Sequence, residues 1–260
     1  MSQSIVVLKF GGTSLATPRR LRLAARRVRA HLRRGEAPVV VASALGHTTD
    51  RILQRLERCG ISPAFAAREV DRALATGETL SSAMLAGCLR KLGISAISLS
   101  GGDAGFEGSG EFGRGTIARL DVSPIRRLLA GGAVPVIAGF QARRPDGETV
   151  TLGRGASDIT AVALAATLGP VPCHIVTDVG AVYDRDPNLD AAAQPYRELS
   201  HNALVRLAEG GAQVVHPTAA RWALDHQVPL CIYSYRGAFG EEYGTRVGSA
   251  MEALQRLSEL

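Results

Sequence analysis

The sequence predicts an α/β protein built around a mainly parallel sheet. Short apolar, β-branched runs alternate with amphipathic helical patterns along the chain of 260 residues. Such alternation is typical of βαβ units, in which helices cover both faces of a parallel sheet. Glycine-rich or polar turns follow most of the strand-like runs, as expected where parallel strands end at a common edge. No stretch of linker composition divides the chain, so we expect one compact unit that contains two lobes.

Hydrophobic periodicity predicts the elements in chain order. Residues 5–8 form a first strand, and Thr17-Pro18 then opens a helix that ends before Gly35. Further strands are predicted at 38–42, 94–99, 133–138, 172–177 and 228–234, with a hairpin arm at 148–152. Helices are predicted at 49–58, 63–92 with a break near Gly77, 157–168, 201–209 and 218–226. The segment 101–115 holds seven glycines in fifteen residues, and we expect it to surround a ligand.

Composition excludes several classes of protein. Apolar residues make up 46% of the chain and charged residues 21%, which argues against disorder. No run approaches the roughly 18 apolar residues of a membrane-spanning helix, and no signal-peptide pattern opens the chain. The four cysteines lie far apart without a CxxC pair, which argues against a zinc site or a disulfide framework. We therefore expect a protein of the reducing cytoplasm, with no membrane partner.

The net charge of +6 is concentrated near the N-terminus, where the first 34 residues hold eight arginines, Lys9 and no acid. This cluster raises the hypothesis of nucleic-acid binding. The arginines fall mostly on the polar side of an amphipathic helix, however, and no aromatic residues are interleaved with them. A solvated helix face, or attraction of small anionic ligands, is the favoured interpretation.

The segments that follow the predicted strands carry the candidate chemistry. One or two glycines follow three of the strands, at Gly11-Gly12, Gly101-Gly102 and Gly139, and an acid follows another, at Asp178. Glycine permits close backbone approach, and free N–H groups at a sheet edge favour anions, so the pattern predicts a phosphate-bearing ligand. The usual fingerprints are absent: GxxxxGK[ST] does not occur, and the segment at 153–158 reads GxGxxD instead of GxGxxG.

Several ordered motifs resemble those of one family. Residues 9–14, KFGGTS, resemble the signature K-[FY]-G-G-[ST]-S of aspartokinases, and LGRGASD at 152–158 differs from the family's L-G-R-G-G-S-D at one position. The segments 43–50, 177–187, 216–217 and 244–245 match further markers in the same order. On these motifs the chain is identified as a member of the amino-acid kinase superfamily, in the aspartokinase branch. The resemblance implies a three-layer α/β/α sandwich with a central, mainly parallel eight-stranded sheet. It also implies one kinase domain over residues 1–260, with an N-terminal substrate lobe and a C-terminal nucleotide lobe.

The resemblance implies transfer of the γ-phosphoryl group of ATP to an amino-acid side-chain carboxylate, with L-aspartate the first expected acceptor. Mg²⁺ would enter through the ATP phosphates, without a direct protein ligand. The implied catalytic residues are Lys9, which would neutralise the transferring group, and Asp158, which would orient the phosphates. The implied substrate-binding residues are Thr48, Glu78, Arg114, Arg154, Gly155 and Ser157. The implied nucleotide-binding residues are Gly11, Gly12, Ser14, Thr177, Asp178, Tyr183, Asp184 and Arg185. Glu78 suits an ammonium group and Arg154 a carboxylate, because each supplies the opposite charge.

Departures from the family pattern keep alternatives open. Gln213 and Asn188 stand where the family carries a lysine and an arginine of the nucleotide site. Thr116 replaces a substrate arginine, for which Arg114 is a candidate substitute, and His47 stands where aspartate is common. A diverged kinase of specialised metabolism with another small carboxylate, or a non-catalytic pseudokinase or regulatory subunit, therefore remains an alternative.

Two expectations about assembly and regulation also follow from the resemblance. The family suggests a homodimer. The sequence ends soon after the last marker segment, and residues 249–260 are enough for one short helix, so we expect no ACT domain and no feedback inhibition through one.

Overall fold

The computed structural model contains an eight-stranded sheet and a smaller four-stranded sheet. It describes residues 3–153, 155–185, 187, 189–190, 192–211, 214–236 and 244–248. The strands are β1 (Ile5–Phe10), β2 (Ala37–Ala42), β3 (Ala96–Leu99), β4 (Phe106–Ser109), β5 (Thr116–Leu120), β6 (Val134–Ala138), β7 (Gln141–Arg143), β8 (Thr149–Thr151), β9 (Cys173–Thr177), β10 (Glu198–Leu199), β11 (Leu230–Ser234) and β12 (Thr245–Val247). The helices are α1 (Gly12–Leu15), α2 (Pro18–Arg33), α3 (Thr48–Arg58), α4 (Pro63–Lys91), α5 (Ser123–Ala130), α6 (Ala156–Leu168), α7 (His201–Glu209) and α8 (Pro217–Asp225).

The large sheet has the order β10-β12-β11-β9-β1-β2-β6-β3, which places β1 near its middle. β1 pairs in parallel with both β2 and β9, and among the described pairs only β11 with β12 is antiparallel. Every residue of β2 and of β6 is buried. Continuous apolar strands of this kind occur where helices cover both faces of a parallel sheet. The predicted mainly parallel α/β architecture is thereby confirmed.

Side chains of β1 alternate between two hydrophobic cores. Val7 packs in the core that contains the small residues of α6, whereas Leu8 and Phe10 pack in the core that contains the inner face of α2. Successive side chains of a strand point to opposite faces, so a helical layer covers each side of the sheet. The result is the three-layer sandwich that the sequence predicted. None of the helices in the described ranges is long and apolar enough to cross a membrane.

The four-stranded sheet, in the order β5-β4-β7-β8, was not predicted as a unit. Only its arm β8 was expected, whereas the glycine-rich segment 101–115 was expected to surround a ligand. Phe106–Ser109 within that segment is instead a strand. Gly101 is required there because a Cβ at that position would collide with the carbonyl oxygen of Gln141. Several of these glycines therefore serve close backbone packing rather than ligand approach.

The predicted helix break near Gly77 is wrong, because α4 continues through this residue. The one non-helical conformation inside α4 is at Ala66, with φ −134° and ψ 33°. A Cβ on Gly77 would lie 3.0 Å from the Cβ of Ala44, in the loop after β2. This glycine therefore lets the long helix approach the edge of the sheet closely. Helix α5 was not predicted at all.

Candidate active site

Four strands of the large sheet end at one edge, and hydrogen bonds join the segments that follow them. The Gly11 N–H donates to the Val176 carbonyl at 3.0 Å, which connects the end of β1 with β9. The Ser43 N–H donates to Phe10, and the Gly139 N–H donates to Ala42, both at 3.1 Å. The carboxyl edge at β9, β1, β2 and β6 therefore carries the predicted site, as expected for an open α/β sheet.

Lys9 and Asp158 form an ion pair at this edge, with 2.6 Å between Nζ and Oδ1. Lys9 is the penultimate residue of β1, and Asp158 lies in the first turn of α6. The two side chains are only 11% and 10% exposed. The other carboxylate oxygen of Asp158 accepts the His216 N–H at 3.1 Å, which fixes the carboxylate from a second direction. Charge–charge interactions are stronger in such a water-poor setting than at the surface.

The glycine turn after β1 lies beside this ammonium group. A Cβ on Gly11 would lie 3.5 Å from Lys9 Nζ, and a Cβ on Gly12 would lie 2.8 Å from the Ala44 carbonyl oxygen. Ser14 is buried, and its hydroxyl donates to the Val176 carbonyl at 3.0 Å. Gly12 thus lets the turn approach the loop after β2, and Gly11 places no side chain beside Lys9. The Ser14 side chain holds the turn against β9.

Glu78 is a buried carboxylate on α4 with one unsatisfied oxygen. Its Oε1 accepts the Ala44 N–H at 3.1 Å, and its Oε2 has no hydrogen-bond partner among the described residues. Burial raises its pKa to about 7, although the Ala44 hydrogen bond acts in the opposite direction. An unpaired buried oxygen is costly, and a cationic ligand would relieve that cost. The geometry therefore suits the predicted ammonium partner.

Thr48 and Ser157 flank this region. The Thr48 hydroxyl donates to the Leu45 carbonyl at 2.6 Å, and its methyl carbon would be 3.6 Å from a Cβ on Gly77. Ser157 is buried, and a Cβ on Gly139 would come within 2.8 Å of its hydroxyl oxygen. His47, in contrast, points to solvent: its side chain is 84% exposed, and Nδ1 is 3.5 Å from Asp50.

The segment after β9 carries the predicted nucleotide residues on an exposed loop. The Thr177 hydroxyl donates to the Asp178 carboxylate at 3.1 Å, and a Cβ on Gly180 would lie 3.2 Å from the Tyr183 hydroxyl. Arg185 pairs with Asp190 at 2.9 Å and with Asp184 at 3.3 Å. Its guanidinium thus neutralises acids of the same loop.

Arg114 and Gly155 are two further residues of the predicted substrate set. Arg114 is exposed, and its guanidinium makes no hydrogen bond or ion pair with any described residue. Gly155 has φ +77°, and a Cβ there would collide with the His216 ring, so only glycine fits this helix start. Arg154, Asn188 and Gln213 lie outside the described residues, as does the expected helix in 249–260.

Asp71 is a structural residue of the site that the sequence did not reveal. It is 1% exposed on α4 and accepts the Gly113 N–H at 2.9 Å. It also accepts the N–H and the hydroxyl of Thr151, both at 2.8 Å. One carboxylate therefore joins α4, β8 and the turn that carries Arg114. An acid in an amphipathic helix usually indicates a solvated face, so no local signal could have found it.

The described residues contain no group of three or more His, Cys, Asp or Glu side chains that could hold a metal ion. That a divalent ion would enter with ligand phosphates, without a direct protein ligand, stays a prediction. The positive charge of Lys9 beside the Gly11 turn suits a ligand that carries phosphates.

A Lys–Asp pair and a glycine turn at the carboxyl edge of an α/β/α sandwich define a phosphate-handling α/β protein. Residues 4–234 match the amino acid kinase family, and the chain belongs to that family. It is 40% identical to the aspartokinase of Geobacillus stearothermophilus over 253 residues, which cover 97% of this chain and 61% of that protein. It is 37% identical to aspartokinase 2 of Bacillus subtilis, again over 97% of this chain and 61% of the relative. The chain thus spans about three-fifths of these relatives.

Solved structures show the same likeness. The aspartate kinase from Synechocystis superimposes with a TM-score of 0.80 at 36% identity, covering 94% of this chain and 40% of that one. Escherichia coli aspartokinase III in complex with aspartate and ADP gives a TM-score of 0.78 at 25% identity, covering 94% of this chain and 64% of that one. The fold is therefore of the kind found in aspartate kinases.

Proposed function

We propose that this protein transfers the γ-phosphoryl group of ATP to the side-chain carboxylate of L-aspartate, giving 4-phospho-L-aspartate. The observation that carries the proposal is the buried Lys9–Asp158 pair, whose ammonium group lies beside the side-chain-free turn at Gly11. Buried Glu78, with its unsatisfied oxygen, supplies a site for the substrate ammonium group. Similarity to aspartokinases over 97% of the chain favours aspartate over other carboxylates and favours an active kinase over a binding subunit.

The proposed chemistry requires no general base, because the acceptor carboxylate is already ionised at neutral pH. A carboxylate oxygen attacks the γ-phosphorus, the bond to the β,γ-bridging oxygen breaks, and ADP leaves with the electron pair of that bond. Lys9 neutralises charge on the transferring phosphoryl group, and Asp158 orients Lys9 through the 2.6 Å contact. Mg²⁺ on the ATP phosphates would supply further charge neutralisation. Positioning and electrostatics therefore account for the catalysis.

The remaining roles divide between the two substrates. For aspartate, Glu78 would bind the ammonium group, while Arg154 and Arg114 would bind carboxylates. Thr48, Gly155 and Ser157 would line the same region. For ATP, Gly11, Gly12 and Ser14 would shape the phosphate turn. The loop after β9 would contact the nucleotide through Thr177, Asp178, Tyr183, Asp184 and Arg185.

We also propose that the protein acts in amino-acid biosynthesis in the cytoplasm and that it forms a homodimer. Three exposed apolar side chains support association: Leu80 and Met84 on α4 and Ile97 on the edge strand β3, which are 52%, 40% and 40% exposed. Sedimentation should give twice the chain mass, and Leu80→Glu should reduce it to the monomer. A monomeric wild type would contradict this part of the proposal.

Trapping the acyl phosphate tests the reaction directly. Purified protein is incubated with Mg-ATP, aspartate and hydroxylamine, and we expect aspartyl hydroxamate together with one ADP per product. Omitting aspartate should abolish ADP release above background. Hydroxamate from another amino or dicarboxylic acid, with none from aspartate, would contradict the assignment of aspartate and identify a different acceptor. ADP binding without any transfer would instead favour a non-catalytic subunit.

A further inference from the structure

Arg20 gives two segments of the site, the turn after β1 and the loop after β9, a second connection besides the pairing of β1 with β9. It lies in the first turn of α2, where the Thr17 hydroxyl accepts its N–H at 3.3 Å. Its Nη1 donates to the carbonyl of Thr13 at 2.8 Å. Thr13 belongs to α1, the single helical turn formed by the glycine motif after β1. The Arg20 guanidinium thus binds a carbonyl of the turn that is proposed to bind phosphate.

The same guanidinium lies over an aromatic ring on the other side. Arg20 Cζ is 4.6 Å from the centroid of Tyr235, a residue that is 6% exposed. The Tyr235 N–H donates to the Thr177 carbonyl at 2.8 Å, and the neighbouring Ser234 hydroxyl donates to the Asp178 carbonyl at 3.3 Å. Tyr235 is therefore bound directly to the loop proposed to contact the nucleotide.

A second arginine of α2, Arg27, binds the backbone of Tyr235. Arg27 is 1% exposed, and its Nη2 donates to the Tyr235 carbonyl at 2.8 Å. The backbone of Tyr235 is thereby held by α2, while its ring contacts Arg20 and its hydroxyl accepts a hydrogen bond from Arg236 Nε at 2.9 Å. A flat guanidinium can donate in its plane and stack with its face at the same time, which an ammonium group cannot do.

We propose that Arg20 is a positioning residue that fixes the turn at 11–15 relative to the Thr177–Asp178 loop. This inference rests on the proposed function only in assigning ATP to those two segments. Removing Arg20 frees the Thr13 carbonyl and takes away one contact of the Tyr235 ring. The hydrogen bonds from Gly11 and Ser14 to Val176 remain, so the spacing of the phosphate turn and the nucleotide loop becomes looser without being lost. The effect should appear in nucleotide binding and leave aspartate binding unchanged, because Glu78 and Thr48 lie on other elements.

The test compares Arg20→Ala with Arg19→Ala, a neighbouring exposed arginine in the same helical turn. Both variants lose one positive charge, so long-range electrostatics cancel. We expect the Kd for ADP and the KM for ATP to rise about tenfold in Arg20→Ala, the loss typical of a charged hydrogen bond. The KM for aspartate should stay within about twofold. Arg20→Lys should give an intermediate Kd. An ADP Kd equal to that of Arg19→Ala overturns the proposal.

Hydrogen exchange gives a second readout that needs no nucleotide. Amides at 11–16 and 177–179 should exchange at least about tenfold faster in Arg20→Ala than in Arg19→Ala. If the wild type binds no ADP, the proposed function fails, and faster exchange still supports the role of Arg20. Unchanged exchange at both segments overturns it. If Arg20→Ala does not fold, Arg20→Lys carries both measurements, with smaller changes in the same direction.

Discussion

Lys9 is the residue whose charge should matter most to the proposed phosphoryl transfer. We expect Lys9→Ala to lower kcat about 10³-fold, because one preorganised cation facing developing charge contributes on that order. Asp158→Asn should also lower kcat, because it leaves Lys9 without its 2.6 Å partner. Steady-state kinetics and circular dichroism measure activity and fold together.

Lys91 provides the matched control, because it is the only other lysine in the chain and it is exposed at the end of α4. Lys91→Ala should keep full kcat. Full activity in Lys9→Ala would remove the assigned mechanism, whatever the control shows.

Glu78 predicts a pH dependence of substrate binding. Its pKa is about 7 because burial disfavours the carboxylate, and an ammonium ligand favours that same charged form. Aspartate should therefore bind with its ammonium group only to ionised Glu78. We expect the KM for aspartate to rise about tenfold per pH unit below about 7 and to level off above it.

Glu78→Gln tests the origin of this profile. The substitution should raise the KM for aspartate and remove its pH dependence, while the KM for ATP changes little. A profile that persists in Glu78→Gln would assign the titration to another group.

The buried carboxylate of Asp71 joins helix α4 to strand β8. Asp71 accepts three hydrogen bonds from Gly113 and Thr151, and its replacement leaves the buried N–H and hydroxyl of Thr151 and the partly buried N–H of Gly113 without this partner. We expect Asp71→Ala to lower the free energy of unfolding by about 2–4 kcal/mol. The KM for aspartate should rise as well, because the turn that carries Arg114 loses its anchor. Urea denaturation and kinetics measure the two effects.

Asp103→Ala is the comparison for that prediction. Asp103 pairs with Arg143 at 2.8 Å, but its side chain is 54% exposed. Exposed ion pairs contribute about 0–1 kcal/mol, so we expect a small change in stability and none in KM. Equal losses in the two variants would contradict the special role of Asp71.

At the level of the whole molecule, buried His174 couples folding to pH. It lies on the central strand β9 beside His31 and Tyr233, and burial lowers its pKa to about 3. Below about pH 6.5 the unfolded chain takes up a proton that the folded chain excludes. Folding stability from this residue is therefore lost as the pH falls from about 6.5 towards 3, by about 1.4 kcal/mol per pH unit.

The His174→Gln variant isolates this contribution. Glu78 acts in the opposite direction, because its raised pKa costs stability as the pH rises from about 4.5 to 7. The difference in unfolding free energy between wild type and His174→Gln should nevertheless narrow or reverse on acidification. Urea titrations at pH 7 and pH 5 measure it, and a difference independent of pH would refute the prediction.

Local patterns in the sequence were sufficient for the elements of the large sheet. β2 and β6 are apolar throughout, and Thr17-Pro18 begins α2, so both strands and helix followed from periodicity and capping. The four-stranded sheet and the unbroken α4 were not predicted. Their glycines, such as Gly77 and Gly101, are needed for close contact with residues distant in sequence, and a glycine required for packing has the same local pattern as one required for a turn.

The sequence by itself determined the α/β class and gave Lys9 and Asp158 as candidate catalytic residues at the strand ends. Only the tertiary structure decided that these two charges meet and that, among the described residues, one oxygen of Glu78 has no partner. It also decided that Asp71 and Arg20 hold the surrounding segments. The physical reason is the distance along the chain over which each signal acts. Periodicity, capping and turn chemistry act over a few residues, whereas an ion pair or a buried acceptor depends on which distant elements pack together and exclude water.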